Sequence, residues 1–449
     1  MNTPSLTSET TAFGAPSPAH TAPGLRSVTL IDPFAGGHHL PYAVILCQQF
    51  RERGLEVNLI GPARLVSEVC AQAPVSRSAV LELYQGSTTD YYRKGKWHEE
   101  RSSYLFTRRA LDIARSWNSD IAHFVFLDSF ILSILAARVL GGRAAAGNGA
   151  ADRMRLFTTL HWAYMLPRFQ EPGLIGRLKA AAQLWGLRRL LRSGVHLQLH
   201  TPSFVSEIGQ GGPPSQVSYI PYPAETPSGA DPEQVAALRA HLGVSLEVKL
   251  LLAFGGTRRN KSADVAVMTL AHLPQQYHLI IIGAQEHFSP QALSELADGL
   301  GVRERVHLNL KYIEREEYDL YFAAAAAALL PYRQDFSGQS GVMFIAGSAG
   351  VPVVASAAGS TGELVERFGL GVVVQSTDEA EELARNMAGA VQALLAVPVD
   401  QDLREQRRRQ FLQTHSLENF ADCVMRDYAI PGKTVSEKDG PPTSTAGHA

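Results

Sequence analysis

The chain has 449 residues, of which 45% are hydrophobic and 19% charged, with a formal net charge of −2. This length supports two buried cores, and the charge argues against a dedicated nucleic-acid binder, which normally has a strongly basic domain. The three cysteines, Cys47, Cys70 and Cys423, form no C-x-x-C pair, so we expect buried thiols in a reducing cytosol without a disulfide framework or a zinc site.

Both ends of the chain have the composition of disordered tails. Residues 1–25 are rich in Thr, Ser, Pro and Ala and lack the basic and apolar regions of a signal peptide, and residues 431–449 are similar. No stretch between them approaches the ~18 uninterrupted apolar residues of a membrane-spanning helix. We therefore expect a cytoplasmic protein, with at most a peripheral position at the inner face of the membrane.

The ordered chain begins with a predicted β-loop-α-β unit. The strand SVTLID is followed by a loop with Gly36 and Gly37, a helix with Pro41 in its first turn, and the strand VNLIG. A glycine pair in this loop lets the backbone approach a ligand closely. His38 and His39 follow directly, and the sequence leaves open whether they contact a ligand or are surface or capping residues.

The next informative segment leads to a histidine. Apolar patterns predict a helix at YLFTRRALDIARSW, a strand at DIAHFVFLD, a buried helix at SFILSILAARVLGG, an exposed loop at AAAGNGAADR and a strand at LFTTL. His161 ends this last strand. Since the carboxyl ends of parallel strands line the ligand crevice of doubly wound sheets, a functional role is favoured over a core histidine bonded to a carbonyl.

Residues Gly173–Gly194 form a predicted basic amphipathic helix. Its cations, interleaved with leucines and Trp185, are Arg177, Lys179, Arg188, Arg189 and Arg192. Two interpretations stay open: a helix that lies on an anionic membrane, or one that packs on the sheet with a solvated charged face. The strands VHLQLH and VSYIPYP complete the first domain, before the linker AETPSGADPE.

The second domain opens with the strand KLLLAF and the loop GGTRRNK, which ends at Lys261. Ser262 is predicted to cap the next helix. Glycines and fixed positive charge at a strand-to-helix turn suit a pyrophosphate leaving group, because its negative charge grows as a glycosidic bond breaks. A surface cluster of charges is the alternative. The strands YHLIIIGA and RVHLNLKYI follow, with a helix between them that ends near Gly301.

A second candidate anion site follows the apolar run FAAAAAALLP, which we predict to be a strand. Ser340 is a good N-cap for a helix from Gly341 to Ala349, which Gly350 ends, and VPVVAS is the next strand. Backbone N–H groups at this helix start suit a diphosphate, although a merely tight loop is the alternative. Two further helices are predicted beyond residue 371, at DEAEELARNMAGAVQALL and from residue 402 to 428.

The motifs LPY, SG, GVPVVAS, GSTGELV and GLGVVV in residues 330–374 resemble the donor-binding segment of group 1, family 4-like, glycosyltransferases. The resemblance implies the α/β GT-B fold, in which two Rossmann-like doubly wound parallel-sheet domains face each other across a cleft. It places an acceptor domain at residues 26–224, a donor domain at 225–410, and a helix at 411–430 that crosses back to the first domain.

The implied activity is metal-independent, retaining transfer of a sugar from a nucleotide sugar to an acceptor hydroxyl of a glycan, a lipid-linked or a small molecule, as in polysaccharide biosynthesis. No cofactor is implied, since the nucleotide sugar is a substrate. The catalytic residues implied by the resemblance are His161, Arg258 and Lys261. The donor-binding residues implied by it are Gly36, Gly37, Gly255, Tyr312, Ile313, Ser337, Ser340, Gly341 and Glu363.

The chain departs from the family at two positions. Many members have two glutamates separated by seven residues, where this chain has Ser337 and Ile345. The resemblance assigns the second glutamate to the donor ribose, so Glu363 or Glu366 of the next loop is an alternative ribose contact. Two other functions therefore stay open: a non-catalytic partner of a glycosyltransferase, and a GT-B enzyme that rearranges a nucleotide sugar, such as a 2-epimerase. The only D-x-D sequence lies at residues 400–402, too late for a metal site beside the donor.

Overall fold

The computed structural model describes residues 25–36, 38–83, 96–145, 154–166, 169, 173–209, 216–311, 313, 315–398 and 400–429. Gly37, Tyr312, the two predicted tails and most of the predicted loop AAAGNGAADR lie outside the described residues. The described residues form two parallel sheets with helices between successive strands.

The first sheet has seven strands in the order β3-β2-β1-β4-β5-β6-β7, and every neighbouring pair is parallel. Its strands are β1 Ser27–Ile31, β2 Glu56–Gly61, β3 Arg77–Val80, β4 Ile121–Phe124, β5 Arg155–Leu160, β6 His196–Leu199 and β7 Val217–Tyr219. The helices of this part are α1 His39–Glu52, α2 Ala63–Gln72, α3 Lys96–Ser116, α4 Ile131–Ala145, α5 Leu174–Arg192 and α6 Pro202–Gly209.

The second sheet has six parallel strands in the order β10-β9-β8-β11-β12-β13. Its strands are β8 Lys249–Phe254, β9 Tyr277–Ile282, β10 Val306–Asn309, β11 Ala327–Leu330, β12 Val353–Ser356 and β13 Gly371–Val374. The helices from this point on are α7 Pro232–His241, α8 Ala263–Ala271, α9 Pro290–Gly299, α10 Arg315–Ala324, α11 Gly341–Ala349, α12 Thr361–Phe368, α13 Ala380–Ala396, α14 Gln401–Thr414 and α15 Leu417–Ala429.

Apolar runs become strands that are buried on both faces, as β1 and β12 illustrate: every residue of each is buried. Helix α15 returns to the first sheet. Tyr428, which is fully buried, shares a 2.6 Å hydrogen bond with His123, and its ring contacts Phe157. Arg53, which directly follows α1, pairs with Asp422 of α15 at 2.7 Å. The last described helix therefore completes the core of the first domain.

Three local predictions are wrong. The strand predicted from Phe322 begins only at Ala327, because α10 continues to Ala324. An apolar run alone does not distinguish the buried end of a helix from a strand. Cys70 is exposed because it follows Val69, the last buried residue of α2, and so lies outside the buried face of that helix. Ser262 occupies the N-cap position of α8 but makes no cap bond; its hydroxyl accepts a 2.7 Å hydrogen bond from Arg333 instead.

Among the described helices, none combines the length and the apolar character that crossing a membrane requires.

Candidate functional site

Each sheet has one point at which the strand order reverses. In the second sheet it lies between β8 and β11, whose following loops span residues 255–262 and 331–340. In the first sheet it lies between β1 and β4, and the loop after β1 contains Gly36 and His38. Open α/β sheets bind ligands in the crevice outside the carboxyl ends of the strands at such a point. The fold therefore selects the glycine-containing loops of both domains.

The loop after β8 holds an ammonium group against the start of α11. Gly255 has φ +110°, and a Cβ built on it would lie 2.8 Å from Lys261 Nζ and 3.6 Å from Val342 Cγ2. Lys261 Nζ is also 6.0 Å from the centre of the Tyr332 ring, which is hydrogen-bonded through its hydroxyl to Ser340 at 2.9 Å. Glycine is thus favoured at 255 by its backbone angle, and the missing side chain leaves room for Lys261.

Ser340 caps α11 as predicted. Its buried hydroxyl accepts a hydrogen bond from Met343 N–H at 3.3 Å. No described atom lies within 4 Å of a Cβ built on Gly341, so the first residue of the helix borders open space. A nine-residue helix that begins in open space beside Lys261 offers both partial and full positive charge to an anion.

The electrostatics of this site favour binding of an anion. Burial, together with the charge of Arg258, lowers the pKa of Lys261 to about 8, and Glu286 only partly opposes this. Arg258 forms a 2.7 Å ion pair with Glu286, and the two side chains are 51% and 38% exposed. An anion bound at Lys261 would favour its charged form and raise its pKa.

The first domain has a buried polar atom without a described partner in the loop after β1. His38 Nε2 is buried and has no hydrogen-bond partner within the described part of the chain. Burial, His39 and Arg258 together lower the pKa of His38 to about 4, against the opposing effect of Asp32. Because Arg258 belongs to the second domain, its effect on His38 indicates that the two loops approach each other across the cleft. No atom of the described residues lies within 4 Å of a Cβ built on Gly36.

His161 lies at the end of β5, but it is bonded to the backbone. Its side chain is 6% exposed, and Nε2 donates to the carbonyl of Val125 at 2.9 Å. Burial and the neighbouring His200 hold its pKa well below the usual range. The carbonyl bond is the arrangement expected for a core histidine, and it engages Nε2. A catalytic role for His161 stays a prediction.

Asp128 anchors the peptide that carries His161. Its carboxylate accepts hydrogen bonds from the N–H groups of His161, at 3.2 Å, and Trp162, at 2.5 Å. Burial raises the pKa of Asp128 to about 7, although these hydrogen bonds act in the opposite direction. This anchor fixes the loop after β5 at the cleft.

The loop before α11 is packed against the first domain. A Cβ on Gly338 would lie 2.8 Å from the indole of Trp162, and the carbonyl of Ser337 accepts a 3.4 Å hydrogen bond from Ala163 N–H. The amide of Gln339 donates to the hydroxyl of Thr201. These contacts close the cleft over the loop and leave Ser337 buried.

A second space between the domains contains Glu363. This cavity of about 850 Å³ is lined by Phe169 of the first domain and by Gln334, Glu363 and Glu366 of the second, among others. Ile345 is half-buried against the hydrophobic core of the second domain, and Ile313 is 6% exposed within that core. Glu363 therefore faces a cavity, whereas these two isoleucines mainly contribute to packing.

Sequence reasoning missed several residues of the site. Asp128, Trp162 and Glu286 have no local signal, because each acts on a partner that is distant in the chain.

Comparisons with known proteins agree with this architecture. Residues 248–393 match the family model "Glycosyl transferases group 1". The chain is 33% identical to a D-inositol 3-phosphate glycosyltransferase of Xylanimonas cellulosilytica over 34% of this chain and 36% of that protein. It is 24% identical to the same enzyme of Geodermatophilus obscurus over 90% of this chain and 86% of that one.

Among solved structures, the chain is similar to Anabaena Alr3699/HepE in complex with UDP, with a TM-score of 0.64 and 14% identity over 90% of this chain and 99% of the other. The fold predicted from the motifs, GT-B with two Rossmann-like domains, is confirmed. The more similar of the two curated relatives is matched over only about a third of its length.

Proposed function

We propose that the protein is a glycosyltransferase that moves a sugar from a nucleotide-sugar donor to an acceptor hydroxyl, without a metal and with retention of configuration. The proposal rests on one observation: Lys261 and the open start of α11 meet at the point where the strand order of the second sheet reverses. Arg258 and His38 come from the facing domains, and the charge of Arg258 lowers the pKa of His38. The negative charge of a diphosphate would complement the positive charge of Lys261, Arg258 and the helix start.

In the proposed reaction, the bond between the anomeric carbon and the diphosphate oxygen breaks while the acceptor oxygen bonds to that carbon. The electron pair of the broken bond goes to the diphosphate, where Lys261, Arg258 and the N–H groups of α11 stabilise the growing charge. The acceptor proton goes to a diphosphate oxygen. Positioning by the closed loop at Gly338 and Trp162 contributes by keeping the reacting groups together and excluding water.

The proposal is tested by the heat stability of the purified protein with nucleoside diphosphates. UDP is the first to try, because one protein of the same fold has been solved with it. A ligand at a hundredfold its dissociation constant adds about 2.7 kcal/mol to the free energy of unfolding. If no nucleoside diphosphate raises the unfolding temperature of the parent, the donor site is assigned wrongly. A shift that Lys261→Ala abolishes supports the assignment.

A second candidate is a rearrangement of the nucleotide sugar, such as 2-epimerisation. It is favoured by Glu363 and Glu366, which both line the cavity between the domains. The two candidates differ in their need for an acceptor. Incubation of a nucleotide sugar with the enzyme alone, followed by NMR of the sugar ring, reveals an epimer only for the second candidate.

We predict that the transferase activity survives chelation of divalent ions. The leaving group is met by Lys261, Arg258 and a helix start, so no cation is needed to neutralise it. Turnover should be equal with and without EDTA. Loss of activity in EDTA that magnesium or manganese restores would show that a metal site contributes.

We also predict that the donor ribose contributes little to binding. If Ile345 occupies the ribose position, a charge-assisted hydrogen bond worth ~1.5 to 3 kcal/mol is absent. A 2′-deoxy nucleoside diphosphate should then bind less than about tenfold more weakly than the ribo form, a difference of ~1.4 kcal/mol. Calorimetry with the two ligands measures this. A hundredfold loss would indicate that another carboxylate, with Glu363 as the first candidate, binds the ribose.

A further inference from the structure

Helix α5 presents an apolar stripe to solvent. Leu174, Leu178 and Trp185 are 74%, 61% and 62% exposed. With about 100° between successive residues, these three side chains project within a sector of about 40°. The buried residues of the helix project to the opposite side: they are Ala180, Gln183, Leu187, Leu190 and Leu191. The stripe is therefore not part of the core.

The helix cannot rotate to bury this stripe. At Gly186 a Cβ would lie 2.7 Å from Leu132 Cδ2 and 3.2 Å from Ile131 Cγ2 of α4. This close approach seats the buried side of α5 against its neighbour, since only glycine leaves room for it. The orientation of Leu174, Leu178 and Trp185 towards solvent is thus fixed by packing.

Arginines border the stripe. Arg177, Arg188, Arg189 and Arg192 are all exposed, and the helix contains no acidic residue. Lys179 is set apart from them, since its charge acts on Glu100 of α3, where it partly opposes the rise in pKa caused by burial. At about 100° per residue, Arg177 and Arg188 flank the stripe on one side and Arg189 on the other, while Arg192 continues its line at the end of the helix. A merely solvated face would have charge along its whole centre, whereas here leucine and tryptophan occupy most of it.

This arrangement matches one kind of partner. Leucine and tryptophan side chains insert at the boundary between lipid headgroups and acyl chains, while arginines bind the phosphates of the headgroups. In a parallel sheet, the helix that follows a strand begins at the carboxyl edge of the sheet, so Leu174 lies towards the crevice edge that also carries His161. We propose that α5 binds an anionic membrane surface through Leu174, Leu178 and Trp185. This inference does not depend on the proposed reaction.

The test is co-sedimentation of the full chain with vesicles. Vesicles of phosphatidylglycerol and phosphatidylcholine in equal amounts should bind the protein, and vesicles of phosphatidylcholine alone should bind it far more weakly. Arg188→Gln with Arg189→Gln should lower the partition coefficient roughly thirtyfold. Leu178→Ala with Trp185→Ala should lower it by roughly tenfold or more.

Matched controls come from equally exposed residues elsewhere. Arg385→Gln with Arg409→Gln removes two cations whose side chains are 61% and 71% exposed, and Leu246→Ala truncates a leucine that is 82% exposed. These variants should bind vesicles like the parent. All variants should keep the unfolding temperature of the parent and its shift with a nucleoside diphosphate, because none of the substituted residues lies in the core or the cleft.

Three outcomes would overturn the proposal. One is equal binding of the parent to neutral and anionic vesicles. Another is an equal loss of binding in the α5 variants and the matched controls. The third is a parent protein that does not bind vesicles but forms dimers, when the variant Leu178→Ala with Trp185→Ala is monomeric. A second copy of the chain would then cover this face.

Discussion

Replacement of Lys261 by alanine should lower turnover by roughly two to three orders of magnitude, because the ammonium opposes charge that grows only as the glycosidic bond breaks. The fold should stay intact. Lys261 is half-buried, and burial together with Arg258 already lowers its pKa to about 8, so its removal relieves an unfavourable burial of charge. Initial rates with saturating donor, alongside a circular dichroism melt, measure both effects.

The matched control is Arg259→Ala, which removes the same charge from the same loop. Arg259 is exposed, and its carbonyl rather than its side chain holds Arg333, at 2.7 Å. Turnover of this variant should stay within a few-fold of the parent, since an exposed charge is screened by solvent. Equal turnover of Lys261→Ala and the parent would remove Lys261 from the mechanism. An equal loss of turnover in both variants would mean that Lys261 contributes only to the total positive charge of the loop.

Asp128→Ala should give the largest loss of stability among single changes at the site. The substitution leaves the N–H groups of His161 and Trp162 without their acceptor in a buried place. Such loss costs about 2 to 4 kcal/mol in the free energy of unfolding, which lowers the unfolding temperature by about 5 to 10 °C. Turnover should fall as well, because the peptide that carries His161 loses its anchor.

The pH dependence gives this prediction a signature. Burial raises the pKa of Asp128 to about 7, whereas an unfolded aspartate titrates near ~3.9. Between these values the native state keeps a proton that the unfolded chain has released, so the carboxyl stabilises most at low pH and less as the pH rises to 7. The deficit of Asp128→Ala should therefore be larger at low pH than at pH 8.

Asp112→Ala is the control, because Asp112 is 59% exposed in a surface pair with Arg115. Its unfolding temperature should match the parent throughout the pH range. A deficit of Asp128→Ala that does not change with pH would mean that this carboxyl does not hold its proton in the native state.

Features of the site that depend on neighbouring residues could be predicted from the sequence. The cap at Ser340 and the glycine at 255 follow from helix-start chemistry and backbone angles, which are local properties. The GT-B fold followed from motifs in one segment of the second domain, because those motifs occupy the loops beside the donor. The same local reasoning failed at Ser262, whose partner, Arg333, lies 71 residues away.

Contacts between elements distant in the chain could not be predicted. Trp162 meets Gly338 only because the two domains close on each other, and no local pattern encodes that approach. Arg258 matched a phosphate-binding pattern, but its charge is shared with Glu286 from a loop that is 28 residues later. His161 was expected to face a ligand, and its bond to Val125 depends on how two neighbouring strands end. Each of these outcomes is decided by tertiary packing.

The return of α15 to the first sheet has a consequence for how the protein is made. Phe420, Val424 and Tyr428 belong to the same buried cluster as residues of β1 and α1. A ribosome synthesises the whole second domain before it reaches these residues. The usual order, in which the N-terminal domain folds first during synthesis, is therefore reversed here: the second domain can complete its core while the first still waits for its last helix. During that interval His123 lacks its partner Tyr428, and the apolar surface under α15 is open to chaperones.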